Sequence, residues 1–167
     1  MRKRKNISLK NFLSRFPEVD LPVTLGEETE REFYIRHDPL PAPMVNKYLS
    51  VFFPPHIIDE FTEFVPCFKI KDTAGFHAIV VWVAGLAFRH YYLVTLNEKG
   101  EELQCRMIGG LSFSDDTIRR TVTRIEEDWM IYLATADTDR TDDLESKTET
   151  ISEQLELMPD GGISEGN

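Results

Sequence analysis

The stretch "GFHAIVVWVAGLAFRHYYLVTLNEKGEELQC", from Gly75 to Cys105, decides the fold. Its first part, Phe76 to Phe88, is the longest apolar run in the chain and is broken only by His77 and Gly85. A helix needs about 20 apolar residues to cross the hydrocarbon core of a bilayer. The run has 13 positions, one of them a histidine, and is too short for that. Ile79, Val80, Val81, Trp82 and Val83 are β-branched or aromatic, the types that fit a pleated surface, so residues 76–84 read as a strand that fills a core.

The second part reads as a hairpin. In "HYYLVTLNEKGEELQCRMI", two strand-like runs flank Glu98-Lys99-Gly100, and a three-residue loop ending in glycine is the usual type I turn with a left-handed last residue. Setting Asn97 opposite Glu101 and counting back pairs Leu93 with Cys105, Tyr91 with Met107 and Thr95 with Leu103. That face is apolar. The other face then pairs Tyr92 with Arg106, Val94 with Gln104 and His90 with Ile108. This register expects Leu93 to be far more buried than Val94 or Tyr92.

The pattern extends outward on both sides. "TIRRTVTRI" and "WMIYLATA" flank Glu126-Glu127-Asp128 and predict a second hairpin, with Thr121, Thr123, Ile125, Trp129, Ile131 and Leu133 facing inward. Upstream, "FVPCFKIKDTAGF" predicts a strand near 64–71 and a turn at 72–75. A sheet of this kind needs a covering layer. "PAPMVNKYLSVFF" predicts a helix over 43–52, with Pro43 in its first turn and Pro54-Pro55 ending it. "ISLKNFLSRF" at 7–16 reads as a short amphipathic helix or an extended strap, and "EREFYIR" at 30–36 as an edge strand. The expected architecture is α+β: an antiparallel meander of about six to eight strands under one or two N-terminal helices.

The chain has 167 residues and a formal charge of −10, and residues 137–167 account for −8 of that through ten Asp or Glu and two Lys or Arg. The division expected is a globular domain over 1–136 and an acidic loop or tail over 137–167. Residues 137–146 and 159–167 read as solvated, because few apolar side chains cannot offset the entropy of ordering. A strand pair could lie near 147–158, where "ISEQLEL" echoes "IEEDWMI". The basic start "MRKRKNISLKNFLSRF" is not followed by a continuous apolar segment, and Cys67 and Cys105 lack the short spacing of a disulfide or metal motif. A cytoplasmic location follows as the expectation.

Chemistry is sparsely marked. His37, His56, His77 and His90 are scattered and predict no metal site, and no cofactor motif is present. "GGLSFSDD" at 109–116 has only part of a nucleophile elbow and reads as a loop. Asp115-Asp116 and Glu126-Glu127-Asp128 read as hydrated connectors. Arg119 and Arg120 must point to opposite faces of one strand, which argues against a nucleic-acid surface. The expected function is a non-enzymatic protein-interaction module of adaptor or immunity type. Its candidate binding residues are His90, Tyr92, Gln104, Arg106 and Arg120, gathered on the mixed sheet face. The competing expectation is an enzyme or ligand carrier whose pocket is assembled from residues distant in sequence.

Overall fold

The structure, a computed structural model, describes residues 7–139 and 149–166. Helix α1 (Leu9–Leu13) precedes the short strands β1 (Glu18–Val19) and β2 (Val23–Leu25), followed by α2 (Glu27–Arg36) and α3 (Ala42–Met44). α3 runs on through a π-helical turn, Val45–Leu49, and a 3-10 turn, Ser50–Phe52. Strands β3 (Glu63–Ile70), β4 (Phe76–Ala84), β5 (Phe88–Asn97), β6 (Glu102–Phe113), β7 (Thr117–Ile125), β8 (Met130–Asp139), β9 (Thr150–Leu157) and β10 (Ile163–Glu165) follow. They form one sheet in the order β1-β3-β4-β5-β6-β7-β8-β9-β10, with β2 beside β7. Only the β1–β3 pairing is parallel. No helix among the described residues is long and apolar enough to cross a membrane.

The sheet curls around one apolar cluster and is covered on part of its other face by a second. The inner cluster gathers Leu25, Phe68, Val80, Trp82, Tyr91, Leu93, Ile108, Ile125, Ile131 and Leu155, drawn from β2 through β9. The outer cluster packs Phe12, Phe16, Val45, Tyr48 and Leu49 of the helical layer onto Phe64, Ile79, Val81, Val83, Val94 and Leu96. β4 therefore sends alternate residues into two separate interiors. This accounts for an apolar run without polar alternation. Each fully buried Val, Leu or Ile contributes roughly 1.5–3 kcal/mol of transfer free energy. The helix expected over 43–52 lies where the sequence places it, and Phe12 stacks on Tyr48 at 4.6 Å between ring centres.

The edge of β3 is closed. Pro66 has no N–H to offer a further strand, the carbonyl of Phe64 accepts from Leu40 N–H at 2.7 Å, and that of Pro66 meets His37 Nδ1 at 2.5 Å.

Four expectations are corrected. Residues 30–36 are not a strand: α2 begins at Glu27, its start fixed by the Gly26 N–H donating to Thr29 Oγ1 and the Thr29 hydroxyl donating to the Gly26 carbonyl, both at 2.8 Å. Glu27, Glu28 and Glu30 in its first turn suit the positive end of the helix dipole.

The first hairpin keeps its turn, with Gly100 at φ 84 and Asn97 N–H bonded to Glu101, but its register shifts. Leu103 bulges out between Leu96↔Glu102 and Thr95↔Gln104, so Leu93 faces Arg106 and Val94 faces Cys105. Leu93 and Cys105 therefore lie on opposite faces, and Leu93 and Val94 are both fully buried.

The solvated tail expected over 159–167 is instead a turn and strand for residues 159–166, with Gly161 buried against Leu103 and Phe76. Residues 137–139, expected to be solvated loop, complete β8. Residues 140–146 of that expected loop, and residue 167, lie outside the described residues. The second hairpin has the inward set expected: Thr121, Thr123, Ile125, Ile131 and Leu133 are buried and Trp129 packs against them. Its turn uses Trp129 at φ 68 where a glycine would be usual.

Candidate functional site

The shifted register separates the five residues expected to share a face. Gln104 sits opposite Thr95, and its Oε1 accepts from the Ile163 N–H at 2.5 Å. Arg106, on the Leu93 side, reaches Glu165 at 3.4 Å and Glu153 at 3.5 Å. Gln104 thus holds β10, and Arg106 holds β9 and β10. Arg120 points away from Arg119 and pairs with Glu27 at 2.5 Å. Gln104 and Arg106 thus share the inner side, while His90 and Tyr92 stay on the outer face of β5, where Tyr92 is half covered by Phe53 in an edge-to-face contact at 4.9 Å.

What His90 meets instead is Ser112. Pairing carries a row straight across four strands: Phe88 of β5 opposite Ser112 of β6, Ser112 opposite Arg119 of β7, Arg119 opposite Asp137 of β8. Cross-strand partners project from the same face, close enough to touch. One step along β5, His90 reaches diagonally, and its Nε2 lies 2.7 Å from Ser112 Oγ. Its Nδ1 lies 3.3 Å from the Tyr92 hydroxyl, and its ring is flanked by Phe88 at 5.1 Å and Tyr92 at 6.0 Å. At the other end of the row, Arg119 grips Asp137 through two bonds, Nε to Oδ1 at 2.8 Å and Nη2 to Oδ2 at 3.0 Å. Ser112, Phe113, Ser114, Thr117, Arg119 and Asp137 line an open cleft of about 360 Å³.

Burial lowers the His90 pKa below its ordinary 6.5, so the imidazole is neutral at pH 7. Burial, and secondarily Cys105, raise the Tyr92 phenol above 10, so it stays protonated. The hydrogen bond to Arg119 holds the Asp137 carboxyl below the usual carboxylate range, and the same bond raises the guanidinium. The cleft thus presents hydroxyls and a compensated ion pair, with the neutral imidazole of His90 bonded to Ser112 beside it.

His90 opposite Gly110 is a special position on β6. Gly110 has φ 116, and a Cβ there would fall 2.0 Å from the Arg89 carbonyl oxygen. Ile108 is the extra residue between Tyr92↔Met107 and Tyr91↔Gly109. This second bulge sets which β6 side chain lies within reach of His90. "GGLSFSDD" is therefore part strand and part turn, and the reading as a loop is corrected for residues 109–113. No local spacing in the sequence links His90 to Ser112, whose meeting depends on the two bulges between β5 and β6, or links Ser112 to Arg119 and Asp137 on the next two strands.

A second polar group lies under α2. Glu30 is 7% exposed, and its carboxyl is raised from 4.5 to about 7, chiefly by burial. Trp82, Arg89 and Arg120 draw it back down and Glu27 opposes them. The Trp82 indole N–H is near enough to exert that pull, yet it closes no hydrogen bond among the described residues. Beside it Tyr91 Oη lies 3.0 Å from Thr29 Oγ1, which ties α2 to the inner cluster.

Comparison with known protein families, with characterised proteins and with solved structures gives no match in any of the three. Any functional reading of this curled-sheet protein accordingly rests on its own site.

Proposed function

We propose that the protein works by recognition, as an adaptor or immunity-type module that binds a protein partner, and that the contact is made at the Ser112–Arg119 cleft, beside His90. The observation that carries this reading is the row Ser112–Arg119–Asp137, held in register by the backbones of three neighbouring strands and open to solvent. A rigid sheet face loses little entropy on binding, and a guanidinium is the kind of anchor that carries interface energy. Two of the five guanidinium N–H groups are used by Asp137, which leaves Nη1 to meet an oxygen of a partner's backbone or carboxylate. The open, polar character of the cleft favours this role over a deep apolar ligand pocket.

The test compares capture of partners from cell extract by the wild-type chain and by Arg119→Ala and Ser112→Trp, with Arg106→Ala as a control away from the cleft. Removing the exposed Arg119–Asp137 pair should cost at most about 1 kcal/mol of stability. Partners that bind the wild type and the Arg106 variant but are lost by both cleft variants support the proposal. Unchanged capture by the cleft variants overturns it.

A further inference from the structure

Beyond recognition, we infer that Ser112 is an activated nucleophile that accepts an acyl group from small esters or thioesters, with His90 as its base. Three observations on adjacent strands carry this. Ser112 Oγ lies 2.7 Å from His90 Nε2, within reach of a hydrogen bond in which the hydroxyl donates to a neutral imidazole. Nδ1 then carries the ring hydrogen and donates to the Tyr92 oxygen at 3.3 Å, which makes Tyr92 the positioning residue for that tautomer. Ser112 also lines the open cleft, where Arg119 stands directly across from it on β7.

The step balances with these groups alone. As Ser112 Oγ bonds to the acyl carbon, its proton passes to Nε2 and the carbonyl π pair moves onto oxygen, on the side of the Arg119 guanidinium. Collapse expels the alcohol or thiol, which takes the proton back from His90 and leaves an ester on Ser112. A phenol at Nδ1 gives the imidazolium no counter-charge, unlike the carboxylate of a serine-protease triad. The geometry therefore points to acceptance of one acyl group per chain with slow release, which is compatible with a recognition protein.

Ser114 supplies an internal comparison, since it lines the same cleft but its hydroxyl donates to the Thr117 carbonyl at 3.0 Å. The experiment treats the full chain with p-nitrophenyl acetate, follows nitrophenolate release, and maps the acetyl group by peptide mass spectrometry. The expected result is a burst of up to one nitrophenolate per chain, with Ser112 acetylated about 100-fold or more faster than Ser114. The rate should rise with pH through a midpoint below 6.5 and then level off, as the His90 shift requires. His90→Gln should remove the advantage, and Tyr92→Phe should weaken it without abolishing it. Equal labelling of the two serines, or a rate that climbs with hydroxide without a plateau, overturns the inference. The wild-type pH profile decides the matter even if the His90 variant does not fold. This outcome is independent of partner capture, so the recognition reading stands or falls separately.

Discussion

Gly110 and Glu30 show how much a single position constrains here. At Gly110 the backbone lies in a region that side chains rarely adopt, and the obstacle to a Cβ is backbone, the Arg89 carbonyl and the His90 Cα, which cannot rotate away. Gly110→Ala should therefore cost on the order of 3 kcal/mol, read as a lower chemical-denaturation midpoint. A variant of unchanged stability would mean that β6 does not bend as described. Glu30 sets a pH dependence. Its carboxyl holds a proton more tightly in the fold, near 7, than at the ordinary 4.5, so the fold is favoured at low pH and loses stability as pH rises from about 4.5 to about 7, with no further loss above. Glu30→Gln removes the ionisation, and its stability relative to wild type should improve by about 2–3 kcal/mol between pH 5 and pH 8. Urea unfolding of both proteins at the two pH values checks this, and parallel curves would show that the carboxyl is not buried in the working fold.

Among the elements, the C-terminal turn and β10 decide whether the chain ends in a tail or in structure. Gly161 packs on Leu103 and Phe76, the Ile163 amide is held by Gln104, and Glu165 pairs with Arg106. Removing residues 159–167 should cost about 2 kcal/mol and lower the melting temperature by roughly 4–8 °C. A shift under a degree would restore the picture of a solvated end. The residues that made this segment look solvated are its glycines, acids and proline. What orders it, besides its pairing with β9, is contact with side chains of β4 and β6 that a local window cannot see. The same contrast runs through the other elements. β4 and the turn at Gly100 were legible because composition and turn chemistry act within a few residues. α2 was misread because Phe33, Tyr34 and Ile35 mimic a strand. The helix is set earlier, by Gly26, Thr29 and the acidic first turn. The bulges at Leu103 and Ile108 left no mark in the sequence. Each flips a face, so they moved Gln104 and Arg106 away from His90 and brought Ser112 to it.

At the scale of the whole molecule, stability is divided between two apolar interiors that share β3, β4 and β5 as a common wall. The ion pairs among the described residues lie at the surface, each with at least one partner substantially exposed, so they contribute little and are easily screened. Raising salt to 0.5 M should therefore move the unfolding free energy by about 1 kcal/mol or less. A larger change in a urea titration would point to a charge network beyond these pairs. The site was less legible than the fold for a physical reason. Its four contributors come from β5, β6, β7 and β8, and their meeting depends on every intervening register being right.

The placement of β2 has a consequence for the birth of the chain. Val23, Thr24 and Leu25 pair with Ile125, Arg124 and Thr123, about 100 residues further on. At a synthesis rate of roughly 5–20 residues per second, Leu25 waits several seconds for the strand that buries it. Until then the β4–β5 hairpin, whose partners are neighbours in sequence, is free to form alone. In refolding followed by pulsed hydrogen exchange, the amides of Val80 and Leu93 should be protected before that of Leu25. Simultaneous protection would show that β2 does not wait for β7 to find its place.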